Sequence, residues 1–270
     1  MHRWRARYTR ARVAPAFWPA RQHFDMQIRV LLFGVLKELV GRSTDVLELP
    51  EGARVSDVFS HYVHRAPPIA ALSSSLAFSV NQEYAGADQK LTSGDEVGLL
   101  PPVSGGTTAD KSNAGEVRII REPIATHVIL SALKRPEDGA AIVFEGIVRN
   151  NTRGRRTLYL DYEAYESMAL KQMEALSAQA RERFAIRAVS IVHRLGRLEI
   201  GEASVLIVVA SAHRGPAFEA CHWIIDTLKK IVPIWKKEYF EDGAVWADGE
   251  PFPAEIRGHS GTIPANNASK

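Results

Sequence analysis

Between Gly106 and Glu116 the chain reads TTADKSNAG, a stretch with no apolar side chain larger than alanine. Such a stretch has nothing to bury and reads as a linker, so the segments before and after it must each build their own core. Fully extended it spans roughly 30 Å at about 3.3 Å per residue. This break at 107–115 rules out one continuous fold and divides the chain into a unit at 26–106 and a larger one at 116–258.

In the first unit, MQIRVLLFG alternates Ile28, Val30 and Leu32 on one face, the two-residue period of a strand. LKELVG begins a helix that Gly41 stops, and DVLELPEGA is a second strand turning at Pro50-Glu51-Gly52. VSDVFSHYVHR spaces Val55, Val58, Phe59 and Val63 as a helix, with Ser56 expected as its cap. LAFSVNQEYA turns at Asn81-Gln82, and SGDEVGLLPPVSGG turns at Gly94-Asp95 before a last strand. The expected fold is a small α+β unit with one main helix on a mixed sheet.

The second unit opens with VRIIREPI. GAAIVFEGIV is a nearly continuous apolar strand, NNTRGRRT a basic loop, and LYLDYEAY a strand alternating Leu158, Leu160, Tyr162 and Ala164. A helix is expected over 167–184 with Ala169, Met173, Leu176 and Ala180 on one face. IRAVSIVHR and SVLIVVASAHR read as strands separated by a turn near Gly201-Glu202. Pro216 then opens a helix whose buried stripe is Phe218, Cys221, Ile225, Leu228 and Val232, and Pro233 ends it. Two strand–helix–strand blocks in one sheet predict a ferredoxin-like core with an inserted subdomain.

The formal charge of +3 owes much to residues 1–25, where Arg3, Arg5, Arg7, Arg10, Arg12 and Arg21 face only Asp25; the remainder is slightly acidic. Bulk charge therefore gives no reason for a nucleic-acid partner. An RNA-binding reading needs exposed aromatics on one strand face, and Tyr159, Tyr162 and Tyr165 do not share one. Residues 1–25 read as a disordered or mis-assigned extension, with an Arg-rich targeting peptide as the alternative, and 259–270 as a disordered tail. Cys221 is the sole cysteine, which excludes internal disulfides and cysteine clusters and agrees with a cytoplasmic location. No run is apolar enough to span a membrane, and no metal site is expected.

Cations gather at element ends in the second unit. Arg149 follows one strand, His213 and Arg214 follow another, and if these ends converge on one cleft they can hold an anion such as phosphate, helped by the start of the following helix. Alone, each would be a solvated strand end. Lys229 and Lys236 lie on either side of Pro233; crowded by other cations, a lysine can act as acid, base or nucleophile, whereas LKKIVPIWKK in isolation is a helix end favoured by its dipole. His193-Arg194 reads as a surface hairpin pair, and Cys221 as a packed thiol.

Gly105 and Gly106 end the first unit with backbone thin enough to thread a narrow channel. Through MQIRVLLFG and LTSGDEVGLLPPVSGG, residues 26–106 resemble the small, sulfur-carrier subunit of molybdopterin synthase, a ubiquitin-like β-grasp protein. Through VFEGIVRN, VSIVHRLGRLEIGE, SAHRGPAFEAC and DTLKKIVPIWKKE, residues 116–256 resemble the large subunit of the same enzyme, an α/β hammerhead fold. The resemblance implies a sulfurtransferase in molybdenum cofactor biosynthesis. A Gly-Gly thiocarboxylate would supply sulfur to cyclic pyranopterin monophosphate, giving the dithiolene of molybdopterin. It further implies Lys229 and Lys236 as catalytic lysines, Arg149, His213 and Arg214 as substrate-binding residues, and Phe144 as an aromatic beside the pocket. No permanently bound cofactor is implied; the implied partners are the pterin substrate, an adenylating, sulfur-loading enzyme, and a second copy through the catalytic domain.

Two features depart from that pattern. Gly106 is followed by Thr107, so its carbonyl is an amide that cannot be adenylated; a processing protease cutting after Gly106 is the expected remedy. The alternative is an unloadable, docked or regulatory carrier domain, with a separate carrier supplying sulfur. After Trp246 a basic residue is expected, but Asp248 and Glu250 stand there.

Overall fold

The computed structural model describes residues 26–102 and 115–247. Gly105 and Gly106, the linker up to residue 114, Asp248 and Glu250, and both chain ends lie outside the described residues.

In the first unit β1 (Met26–Leu32) pairs antiparallel with β2 (Thr44–Leu49) and parallel with β5 (Glu96–Leu100). With β3 (Ala77–Val80) and β4 (Glu83–Ala85) the sheet order is β2-β1-β5-β3-β4. The parallel central pair between first and last strands is what the β-grasp expectation requires. Helix α1 (Gly34–Val40) ends where Gly41, at φ 79°, returns its N–H to Lys37. Helix α2 (Val55–Arg65) buries Val55, Val58, Phe59 and Tyr62 against the sheet. Asn81 and Gln82 both take positive φ, 51° and 66°, the tight hairpin geometry whose twist matches the strands it joins.

Ser56 is not the cap of α2. The cap is Arg54, held extended by its bridge to Lys90, with the Asp57 carboxylate accepting the Arg54 N–H at 2.7 Å. The pairing of Arg54 sets the helix start, overriding the local preference for serine.

In the second unit β6 (Val117–Ile120), β10 (Ala188–Arg194), β12 (Ala203–Ser211) and β7 (Ala140–Ile147) form one sheet in the order β6-β10-β12-β7. Helices α4 (Glu166–Arg183) and α5 (Arg214–Ile231) cover one face, and the short α3 (Thr126–Leu133) packs on the other. The remaining strands form a separate second sheet: β11 (Gly196–Glu199), β9 (Arg155–Ala164), β13 (Ile234–Phe240) and β14 (Gly243–Trp246), with the short β8 (Asn151–Thr152) hairpinned onto β9. The inserted subdomain is thus this second sheet, and the basic NNTRGRRT stretch is a hairpin rather than an open loop.

Two burial expectations are corrected. His193 and Arg194 are buried, because the chain runs directly from β10 into β11 and threads both residues between the sheets. Phe218 is 60% exposed, whereas Cys221, Ile225, Leu228 and Val232 are buried as expected. The stripe begins with Ala217, and Phe218 lies one position round the helix from it.

The two units meet along a seam. Leu31, Ala77 and Leu100 pack with Tyr165, Met168 and Trp235. The Phe33 ring lies between Tyr165 and Trp235, with centroids at 4.9 and 5.0 Å. The Tyr84 hydroxyl donates to the Ile231 carbonyl at 2.5 Å, the Trp235 indole N–H donates to the Pro101 carbonyl at 2.8 Å, and the Tyr165 hydroxyl donates to Glu96.

Candidate functional site

Strand register decides which cations can act together. β12 and β7 are antiparallel, Ala203 opposite Ile147 and Ser211 opposite Ala140. Arg149 therefore leaves the sheet at the Ala203 end, while His213 and Arg214 leave it beyond Ser211. At about 3.3 Å per residue, β12 alone separates these ends by about 26 Å. Helix α5 starts at Arg214, packs back along β12 and β7, and delivers Lys229 in its last turn and then Lys236 on β13. Arg149, Lys229 and Lys236 thus belong to one end of the sheet, and His213 and Arg214 to the other. The expected convergence of Arg149 with His213 and Arg214 does not occur within one chain. Phe144 lies on β7 opposite Ile207 and packs against the main core.

The two lysines differ in setting. Lys229 is exposed, as are Arg149, His213 and Arg214. Lys236 is half-buried, its Nζ 3.1 Å from Oε1 of Glu238, a carboxylate only 5% exposed. Period-two geometry puts Lys236 and Glu238 on the same face of β13, opposite Tyr162 and Leu160 of β9. Tyr162 meets the His193 ring edge-on at 5.1 Å. Burial drives the His193 pKa down to about 3, so the ring is neutral near pH 7, and its Nδ1 lies 3.0 Å from the Arg194 carbonyl oxygen. Ser204 donates to the Gly146 carbonyl at 2.9 Å and bonds Tyr162, joining the floor beneath Lys236 to the strand that leads to Arg149. Sequence reasoning missed Glu238, Tyr162 and His193; the alternation Lys236-x-Glu238 within a strand was the signal for the first.

Trp235 and Lys237 occupy the opposite face of β13, turned toward the first unit. Pro101, bonded to Trp235, is the point from which the chain leads on to Gly105 and Gly106.

Other features lie apart from this group. A cavity of about 650 Å³ sits between β6 and α3, lined by Arg118, Arg135, Ile129 and Leu133 among others, and none of the five cations borders it. Burial raises the Cys221 thiol to about 11, which leaves it protonated and inert near neutral pH. Among the described residues no cluster of His, Cys, Asp or Glu could hold a metal, and no helix is long and apolar enough to cross a membrane.

Residues 119–231 match the family described as MoaE protein, and residues 30–106 match the ThiS family. The chain is 44% identical over 128 residues to the molybdopterin synthase catalytic subunit of Halalkalibacterium halodurans, covering 47% of this chain and 82% of that protein. A crystal structure of molybdopterin synthase from Staphylococcus aureus aligns at 40% identity over 51% of this chain and 98% of that one, with a TM-score of 0.47. SAMP1 from Haloferax volcanii aligns at 30% identity over 30% of this chain and 99% of its own, with a TM-score of 0.26.

Proposed function

The chain belongs to the molybdopterin synthase catalytic-subunit family and carries a ThiS-family β-grasp domain fused ahead of it, and from that premise we propose that it is a sulfurtransferase bearing its own sulfur-carrier domain. In this reading Gly106, once freed and converted to a thiocarboxylate by an adenylating, sulfur-loading enzyme, gives its sulfur to cyclic pyranopterin monophosphate. Two rounds build the dithiolene of molybdopterin. No resident cofactor is needed, and the sole cysteine suits a reducing compartment such as the cytoplasm.

The observation that carries the reading is the bond from Trp235 to Pro101. It ties the carrier's last described residues to the residue preceding Lys236. Lys236 faces the other side of its sheet, and the five residues from Pro101 to Gly106 reach about 17 Å when extended. In this reading that segment carries Gly106 round the sheet edge to Lys236. There Lys236, steadied by Glu238, and Lys229 act on the bound pterin, and Arg149 holds its anionic group.

His213 and Arg214 enter this site from a second copy. A two-fold pairing that sets the start of one α5 beside the end of the other brings each pair to the opposite chain's lysines. Exposed Val143 and Ile147 on the edge strand β7, and Phe218 on α5, supply apolar surface for that pairing.

A free acid at Gly106 requires a protease to cut before Thr107. Mass spectrometry of the protein from its native cells tests this: fragments ending at Gly106 and beginning at Thr107 are expected. The intact chain alone, in cells that make the cofactor, would refute processing. That result would favour the second reading, for which the seam already speaks: a carrier domain docked without being cut, with sulfur arriving from a separate carrier.

A further inference from the structure

The seam between the units has an apolar centre and a charged margin, and the charges are crossed. Lys37 of α1 donates to both oxygens of Glu163, at 2.7 and 2.8 Å. The next residue, Glu38, accepts from Lys237 of β13. Each unit thus presents one cation and one anion, and each finds its opposite. Across β9 and β13, Asp161 lies opposite Lys237 and Glu163 opposite Trp235, so both acids share the docking face with Trp235. Asp161 and Glu163 thus place two carboxylates on the ground beneath Lys37, and burial first, then Glu163, raises the Asp161 pKa above its ordinary value.

These pairs are partly exposed: the Lys37 and Glu163 side chains keep 34% and 38% of their surface. Pairs of that kind add little to affinity, which here comes from the Phe33, Tyr165 and Trp235 stack and its apolar neighbours. Reversing one charge is different, because a carrier with an acid at position 37 would set three carboxylates together, and like charges brought together penalise the wrong partner strongly.

We propose that Lys37 and Glu38, read against Glu163 and Lys237, are a charge code by which this catalytic domain accepts a carrier whose first helix presents a cation followed by an anion, and refuses one with the order reversed. The inference rests on the carrier reading above and names what that site selects. It concerns docking alone, before any sulfur moves. Lys171 with Glu83 extends the same margin at the far side of the seam, again with a catalytic-domain cation on a carrier anion.

The test uses the full-length chain and the exchange rate of the Trp235 indole proton, followed by NMR. That proton is bonded to Pro101 and buried in the seam, so it exchanges when the units part. Lys37→Glu alone and Glu163→Lys alone should each speed exchange by about fivefold or more, a magnitude set by like-charge repulsion at a half-exposed pair. The two together should return it to within about twofold of the parent, since the pair is restored in mirror order. Backbone amides of β12, deep in the catalytic core, should keep their protection in all three chains. Glu38→Lys, Lys237→Glu and their combination repeat the cycle should either first variant lose that protection. Singles that exchange at the parental rate, or a double as fast as its singles, would overturn the code. No step measures sulfur transfer, so a chain inactive as an enzyme could still obey the code, and an active one could break it.

Discussion

The indole nitrogen of Trp235 donates to the carbonyl of Pro101 at 2.8 Å, joining the strand that carries Lys236 to the stretch that leads to Gly106. Both groups sit in a buried, aromatic seam, where a carbonyl stripped of its donor costs about 1–3 kcal/mol. Trp235→Phe keeps a ring beside Phe33 but removes the donor. We expect faster amide exchange across Phe33–Glu38 and lower product formation, with the core of each unit unchanged. Unaltered protection in that segment would show the bond to be incidental.

Lys229 and Lys236 should separate when stability and turnover are read together. Lys229→Ala, at an exposed helix end, should abolish product formation and leave the denaturation midpoint in place. Lys236→Ala should also abolish it, but should lower stability by about 1–3 kcal/mol by stranding the Glu238 carboxylate. Adding Glu238→Gln should recover part of that stability and none of the activity. Full turnover in both lysine variants would remove their catalytic assignment.

Residues at opposite ends of one sheet can cooperate only between copies. An inactive Arg214→Ala chain mixed with an inactive Lys229→Ala chain should regain about a quarter of parental activity, since about half of randomly assorted pairs are mixed and each mixed pair holds one intact site. No recovery after verified subunit exchange would remove Arg214 from the opposite chain's site.

Loss of Arg149 should act on binding before chemistry. Arg149→Ala is expected to raise KM by the equivalent of about 1.5–3 kcal/mol, the worth of a charge-assisted contact, with kcat less affected. A drop in kcat at unchanged KM would argue for a role in the transition state instead.

His193 gives the fold an acid-side slope. Its pKa falls from 6.5 to about 3 through burial, so below pH 6.5 the unfolded chain takes up a proton that the folded chain refuses. Stability should therefore decline by about 1.4 kcal/mol per pH unit as pH drops from 6.5 toward 3. Denaturant titrations between pH 7 and 5, above the carboxylate range, should show that slope in the parent and lose it in His193→Gln. Equal slopes in the two proteins would mean that the ring is solvated.

Local pattern carried much of the architecture. The two-residue period at Ile28, Val30 and Leu32, the helical spacing through Val55, Val58 and Phe59, and the stops at Gly41 and Pro233 all act within a few residues, and the elements formed where they pointed. What escaped was set across the fold. Ser56 lost its capping role to a pairing between Arg54 and Lys90, residues distant in sequence. His193 looked like a turn residue because nothing in its neighbours reports that a second sheet will close over it. The cations were identified by type and position, but their grouping depended on the antiparallel register of β7 and β12, a relation absent from any single segment. The seam was equally hidden, since Phe33, Tyr165 and Trp235 are far apart in the chain.

The crossed pairs and stacked rings of the seam join two parts of one polypeptide, and this bears on supply inside a cell. Every round of translation yields one carrier-like domain and one catalytic-subunit domain, already neighbours before either has to search by diffusion. Should a cut free Gly106, as proposed above, the two would still have been made in equal number from a single message.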